Sequence, residues 1–229
     1  MWKPQKPPFR EYKKKVFAKA ASVTDLIYQI GESQDLRKPS PEVSLAEITT
    51  PDFQKKLEYL KTCLQEYRKL TGMGRGITGV QVGIPERVAI IYLGSTTGIK
   101  STKGTKSLRL LRFARNDLLI IINPVITKQS TTMLRYPEIC MSANPIIAPV
   151  IRPSWIEFSY RDETGKEQEW KTKDDTNEGR IYNRVFQHEI DHMDGIINID
   201  RVQSKELIFE SDPSFYDTAK FEKVRNKSQ

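Results

Sequence analysis

The chain has 229 residues and carries 37 lysines and arginines against 29 aspartates and glutamates, a formal net charge of +8 at pH 7. This length favours one domain with one main core. Two cysteines exclude a disulfide-rich scaffold and favour a reducing compartment. No apolar run is long enough to span a membrane, so we expect no membrane partner.

The first thirty residues form a basic arm with seven lysines and arginines against two acids. Organellar transit peptides have a similar composition. We therefore expect residues 1–30 to be an arm or targeting extension and residues 31–229 to form one domain. Mitochondrial location is the leading expectation and a cytoplasmic location is the alternative. Fractionation that leaves tagged protein in the cytosol would exclude the mitochondrial prediction.

An amphipathic helix is predicted near residues 52–71, because apolar residues recur there at spacings of three and four. Thr50 suits the N-cap, Pro51 suits the first helical position, and Gly72 can end the helix. Cys63 adjoins the apolar stripe, which predicts that it is a small core residue.

Short apolar runs predict strands over the next hundred residues. They lie near residues 78–83, 88–93, 118–127, 146–151, 155–161 and 166–172. Gly165 marks a hairpin turn between the last two strands. A second helix is predicted near residues 180–194. The fold class that follows is α+β.

A basic connection or insertion separates two of these strands. Residues 94–117 hold six lysines and arginines, and Asp117 is their one acid. A solvated surface loop is the simpler interpretation, and contact with ribosomal RNA is the functional one, because basic patches bind phosphates. Ribosome binding that is insensitive to salt and to Lys103, Lys106 and Arg109 would exclude the second. No nucleic-acid-binding motif is present, so DNA is not an expected partner.

Both histidines of the chain lie in QHEIDH, residues 187–192, on the second predicted helix. A spacing of four places His188 and His192 on one face of that helix, where they can share a metal ion. Glu189 lies about 100° around the helix, within reach of a water on that ion. The pattern H-E-x-x-H thus supplies two ligands and a general base. An exposed helix with two unrelated histidines is the alternative.

A catalytic metal usually needs a third protein ligand. A downstream glutamate would give a thermolysin-like protease, and the candidates are Glu206, Glu210 and Glu222. A thiolate is the other option. Cys63 is assigned to the first helix, whereas Cys140 lies in a short loop-like segment between two prolines.

Three separated segments resemble the motifs of the peptide deformylases, which remove the formyl group from the N-terminal methionine of nascent chains. GRGITGVQVG at 74–83 resembles the glycine-rich first motif, EICMS at 138–142 the second, and QHEIDH at 187–192 the third. The resemblance extends from about residue 31 to about residue 202, and the last residues are similar to the organellar branch. It implies antiparallel β-sheets around a central helix that carries H-E-x-x-H.

The resemblance also implies a metal site. Cys140, His188 and His192 would bind one divalent ion, which is typically Fe²⁺ in this family, with Zn²⁺, Ni²⁺ or Co²⁺ able to replace it. Ligand types alone do not choose among these ions. Glu189 would act as the general base of the reaction.

Further roles follow from the same resemblance. The side-chain amide of Gln81 and the backbone N–H of Met141 would stabilise the negative charge that develops on the formyl oxygen. The substrate would be an N-formylmethionyl peptide. The expected peptide-lining residues are Gly74, Arg75, Gly76 and Ile139.

Several positions depart from the family pattern and bear on specificity and rate. Ile139 replaces a glycine, and a β-branched residue does not easily adopt a positive φ. Arg75 replaces an apolar residue, Thr78 and Gly79 replace two alanines, and Asn183 replaces another. A deformylase-like binding or assembly subunit, for example of an organellar ribosome, is therefore kept as an alternative function.

Overall fold

The computed structural model describes residues 27–71, 73–94, 118–143, 146–209 and 219–224. Most of the predicted basic arm, nearly all of the basic insertion, and Gly72 lie outside these described residues. The targeting, domain-boundary and RNA-contact hypotheses therefore stay predictions.

Three α-helices lie within the described residues: α1 at Leu45–Ile48, α2 at Pro51–Thr71 and α3 at Asn177–Met193. The backbone N–H of Phe53 donates to the Thr50 hydroxyl at 3.3 Å, so α2 begins as predicted. Cys63 is buried in the apolar stripe of α2, which confirms its prediction as a core residue. Single 3₁₀ turns occupy Gln34–Arg37, Gly79–Val82, Asn198–Arg201 and Ser204–Glu206.

Nine strands of the described residues form two antiparallel sheets, which confirms the α+β prediction. They are β1 Gly76–Thr78, β2 Val88–Tyr92, β3 Leu118–Gln129, β4 Met133–Ile139, β5 Ile146–Pro153, β6 Ile156–Arg161, β7 Glu167–Lys171, β8 Ile208–Phe209 and β9 Glu222–Lys223. One sheet has the order β1-β2-β3-β6-β7, and the other has the order β8-β5-β4-β9. Gly165 has a φ of 82° in the turn between β6 and β7, as predicted for a hairpin.

Helix α3 lies between the two sheets. Its residues Phe186 and Ile190 share a buried cluster with Ile91 of β2. Toward the second sheet, the Arg184 guanidinium donates to the carbonyl of Leu134 at 3.1 Å and to that of Val150 at 2.6 Å. The helix with the H-E-x-x-H pattern is therefore central, as the resemblance implied.

The other face of the first sheet is covered by α2. Leu60 and Leu64 of that helix share a buried cluster with Ile90 of β2. Neighbouring residues in a strand point to opposite faces, so Ile90 and Ile91 belong to different clusters. Both faces are covered, which explains why β2 is a continuous apolar run.

Two predicted elements were wrong. The strand predicted at 78–83 ends at Thr78, because the chain turns there into a 3₁₀ turn that closes at Gly83 with a φ of 83°. The segment before Cys140 is not a loop but strand β4. Its Pro137 lies opposite Pro149 of β5, and a pair without N–H groups fits only a non-hydrogen-bonded position of the ladder.

No helix among the described residues combines the length and the apolar character needed to cross a bilayer.

Candidate metal centre

The structure brings three candidate ligands together. One ligand atom each from Cys140, His188 and His192 lies within 4.8 Å of the other two. The Cys140 Sγ and the His192 Nε2 are 3.1 Å apart, and the two imidazole rings are 4.9 Å apart between centroids. The two histidines come from adjacent turns of α3, whereas the cysteine comes from the turn that follows β4.

The alternative third ligands lie elsewhere. Cys63 is part of the α2 core, and Glu206 pairs with Arg135 at 2.7 Å. Glu222 lies exposed in β9, and Glu210 is outside the described residues. Among the described residues, the thiol of Cys140 is therefore the third donor beside the two histidines.

The turn after β4 holds the sulfur in place. The backbone N–H of Ser142 points to Cys140 Sγ at 3.4 Å, and the N–H of Ala143 donates to the Cys140 carbonyl at 3.1 Å. The Asn198 side chain donates to the Glu138 carbonyl at 2.9 Å and anchors the end of the strand. These contacts hold the sulfur beside the two imidazoles of α3.

The donor set fits a divalent transition metal. One sulfur and two imidazole nitrogens suit iron(II), zinc, nickel or cobalt far better than magnesium or calcium, which prefer oxygen. Cys140 and His192 are fully buried, and His188 is nearly so. His192 Nδ1 and Glu189 Oε2 are buried beside the cluster without a hydrogen-bond partner among the described residues. Such polar atoms match a site that receives a cation and a polar substrate.

The two imidazoles differ in charge state. Burial lowers the pKa of His192, and the nearby positive charges of His188 and Arg152 lower it further. The pKa is held well below its ordinary value, so this ring is neutral. Burial also disfavours the charged form of His188, but its hydrogen bonds with Cys140 and Glu138 outweigh burial and raise its pKa well above the usual range. A metal ion would displace that proton, because ligand binding requires the neutral ring.

Sequence reasoning missed the carboxylate behind His188. The Glu138 Oε2 lies 3.2 Å from His188 Nδ1. The same carboxylate accepts from Arg152 at 2.7 and 2.9 Å and forms an ion pair with Arg184 at 2.7 Å. Burial alone would raise the pKa of Glu138, but the two arginines hold it well below its usual range. A hydrogen bond at Nδ1 fixes the ring and leaves Nε2 for a metal.

The Glu138→Gln variant is expected to lower the free energy of unfolding by about 3 kcal/mol, because Arg152 and Arg184 lose the anion that compensates them in the core. Metal affinity is expected to fall about tenfold to a hundredfold as His188 loses its orientation. Denaturant unfolding and a competitive chelator titration measure the two effects.

Glu157→Gln is the control, since Glu157 pairs with Lys128 and Lys171 at the surface and its replacement should leave both quantities unchanged. Wild-type metal affinity in Glu138→Gln would contradict the orienting role.

The candidate base, Glu189, lies on α3 against the glycine-rich strand β1. Burial raises its pKa to about 7, although the charges of His188 and Arg152 act in the opposite direction. A Cβ on Gly76 would lie only 2.7 Å from the carboxyl carbon of Glu189. The backbone at Gly76 thus approaches the carboxylate more closely than any other residue type allows. A base with a pKa near neutral is well matched to proton transfer at pH 7.

Gly76→Ala is expected to lower kcat for the deformylation that the resemblance implies by about tenfold to a hundredfold. The reason is that the added methyl group pushes the Glu189 carboxylate out of position. Gly31→Ala is the matched control, since a Cβ there meets no atom within 4 Å and only backbone strain is added at its φ of 92°. Steady-state kinetics and thermal unfolding of both variants separate activity from stability. A Gly76→Ala enzyme with wild-type kcat would mean that the carboxylate need not stay where it lies.

Gln81 is buried in the 3₁₀ turn that follows β1. Its Nε2 donates to the Ser142 hydroxyl at 3.1 Å, which places the amide beside the turn that holds Cys140. Met141 lies in that same turn, and its carbonyl accepts from Gln29 at 3.1 Å. Gln81 therefore contacts the turn that contains Met141 and Cys140, although the two parts of the chain are distant in sequence.

The predicted peptide-lining residues border the same place. The Arg75 guanidinium carbon lies 4.9 Å from the ring centre of Tyr182, which precedes Glu189 on α3 by two helical turns. Gly74 has a φ of 93°, and a Cβ there would come within 2.9 Å of the Tyr67 ring.

Ile139 does not carry the strain that its sequence position predicted. It is the last residue of β4 and pairs with Ile147 of β5. Among the described residues other than glycine, only Asn123 has a positive φ, so the expectation of an unfavourable φ at Ile139 was wrong. A β-branched residue is well suited to the extended backbone found there.

The chain is similar to known proteins in sequence and in fold. A family model for polypeptide deformylase matches residues 25–207. A peptide deformylase of Prochlorococcus marinus is 29% identical over 180 residues, which cover 79% of this chain and 74% of that protein. The crystal structure of peptide deformylase from Ehrlichia chaffeensis superposes with a TM-score of 0.60 at 22% identity, covering 79% of this chain and 88% of that one. An inhibitor complex of the Plasmodium falciparum enzyme gives 0.59 at 25% identity, with 79% and 90% covered.

Proposed function

Because the chain belongs to the peptide deformylase family, it removes the N-formyl group from nascent peptides in a metal-dependent reaction, and we propose which of its residues do so. Cys140, His188 and His192 hold the metal in this proposal. The observation that carries it is the convergence of these three donors, from two separate elements, beside the buried carboxylate of Glu189.

The metal, when bound, supplies Lewis acidity and makes water easier to deprotonate at neutral pH. Glu189 accepts a proton from the attacking water and later returns it to the departing amine. Its raised pKa suits both transfers. Gln81 Nε2 and the backbone N–H of Met141 donate to the oxygen of the formyl group as negative charge develops there.

Fe²⁺ is the native ion in this proposal, with Zn²⁺, Ni²⁺ or Co²⁺ as substitutes. The thiolate and imidazole donors support all four and disfavour magnesium and calcium. Purification without oxygen, followed by elemental analysis, tests the assignment. Stoichiometric zinc in protein isolated that way would replace iron in the proposal.

The substrate peptide lies along β1 in this proposal. Among the described strands, β1 lies at the edge of the first sheet, so an extended peptide can pair with its outer side. Gly74, Arg75 and Gly76 lie at or next to that edge, and Ile139 ends strand β4 directly before Cys140. Residue preference after the formylmethionine would then depend on the side chain of Arg75.

Formate release from formyl-Met-Ala-Ser by metal-loaded protein is the direct test. Cleavage of internal bonds in an unblocked peptide would instead support a protease. A protein that binds metal stoichiometrically and releases no formate would support the binding-subunit alternative. The buried ligands and the near-neutral base favour the first outcome.

A further inference from the structure

Thr78 makes two hydrogen bonds to one atom of Gln81. Its backbone N–H donates to Gln81 Oε1 at 2.9 Å, and its hydroxyl donates to the same oxygen at 3.1 Å. Both residues are at most 1% exposed, so water does not compete for these bonds.

These two bonds fix the orientation and the position of the Gln81 amide. A terminal amide torsion is broad and roughly two-fold, so a glutamine can exchange its oxygen and nitrogen at small cost unless its partners forbid it. The backbone N–H of Thr78 forbids the exchange, because it can only donate and a flipped amide would set its NH₂ against it. The hydroxyl can donate or accept, so its bond does not choose the orientation but holds the correctly oriented amide at a second point. Nε2 is thereby directed to the opposite side, where it donates to Ser142.

We propose that Thr78 is a positioning residue that holds Gln81 Nε2 toward the turn of Cys140, where the oxyanion forms. This inference rests on the proposed function, since it presumes that Gln81 stabilises the developing charge. With the hydroxyl removed, one bond to Oε1 remains and the amide moves more freely, so Nε2 spends less time at the position from which it can donate to the anion. A donor that is out of position stabilises the developing negative charge less.

Thr78→Val removes the hydroxyl and keeps the shape of the side chain. It is expected to lower kcat about tenfold with KM unchanged, because the interaction acts only in the transition state. Thr78→Ser keeps the hydroxyl and should retain most of the activity. Thr78→Ala should match Thr78→Val, and it also tests the hydroxyl if valine at this buried position prevents folding.

The decisive readout is a double-mutant cycle with Gln81→Ala. Gln81→Ala alone is expected to lower kcat about a hundredfold. In that background Thr78→Val should cause no further loss, because the amide that it positions is gone. A purely structural threonine would add its own loss in both backgrounds.

A matched control exists in the second half of the chain. The Thr172 hydroxyl is buried, donates to the side-chain amide oxygen of Asn183 at 2.8 Å and accepts from the backbone N–H of Ile156 at 2.8 Å. Thr172→Val therefore removes a buried hydroxyl-to-amide bond that does not involve Gln81. It should lower the unfolding midpoint at least as much as Thr78→Val and leave kcat unchanged.

The failures can be told apart. Wild-type kcat in Gln81→Ala would overturn the role of Gln81 in the proposed function. Impaired Gln81→Ala together with unimpaired Thr78→Val, or with losses that simply multiply, would overturn the positioning role of Thr78 alone. An equal loss of kcat in Thr172→Val would also overturn it, since the effect would then be one of stability.

Discussion

Glu189→Gln is expected to lower kcat for formate release by about a thousandfold while the protein keeps its fold and its metal. General acid–base catalysis contributes between about a hundredfold and ten-thousandfold, and Glu189 serves both proton transfers. Glutamine has nearly the same shape, so the close contact with Gly76 is preserved. Its amide cannot take a proton from water at neutral pH.

Single-turnover and steady-state kinetics at saturating formylated peptide measure the effect, and elemental analysis checks the metal. Glu178→Gln is the matched control, because Glu178 is exposed in the first turn of the same helix. It should leave kcat unchanged. If Glu189→Gln kept a tenth of the wild-type kcat with full metal content, another group would have to be the base.

Cys140→Ala is expected to abolish detectable formate release through loss of the metal. The variant keeps both imidazoles but removes the one sulfur, and two neutral ligands hold a divalent ion far more weakly than three ligands of which one is charged. We expect metal affinity to fall by about a hundredfold or more. Chelator competition and elemental analysis measure the loss.

Cys63→Ala separates metal loss from the general effect of removing a buried thiol. Cys63 is buried to a similar degree in the core of α2 and belongs to a different cluster. Its replacement should lower stability by about 1 kcal/mol and leave metal content and kcat unchanged. Full metal occupancy in Cys140→Ala would remove the sulfur from the ligand set.

Local patterns predicted the elements whose signal lies in consecutive residues. The apolar spacing of α2, the H-E-x-x-H pattern of α3 and the glycine turn between β6 and β7 are of this kind. β4 was missed because a proline within a run argues against a strand, and only the opposing Pro149 makes Pro137 acceptable there.

The network around His188 could not be predicted in the same way. Glu138, Arg152 and Arg184 come from β4, β5 and α3, and each alone reads as an ordinary charged residue. Only the packing of α3 between two sheets brings them together. Arg152 directly follows the predicted strand at 146–151, and Arg184 lies on the predicted helix near 180–194. These positions were the available signal, because an arginine that becomes fully buried almost always needs an acidic partner.

The side chains that carry the chemistry are also part of what fills the interior. Cys140 shares a buried cluster with Leu36, Val80 and Ile197, and His192 has no exposed surface. If a related protein lost the catalytic activity, these positions would still tolerate few substitutions, since most replacements would leave a void or a clash. Natural selection for a folded protein alone would therefore slow the decay of this centre.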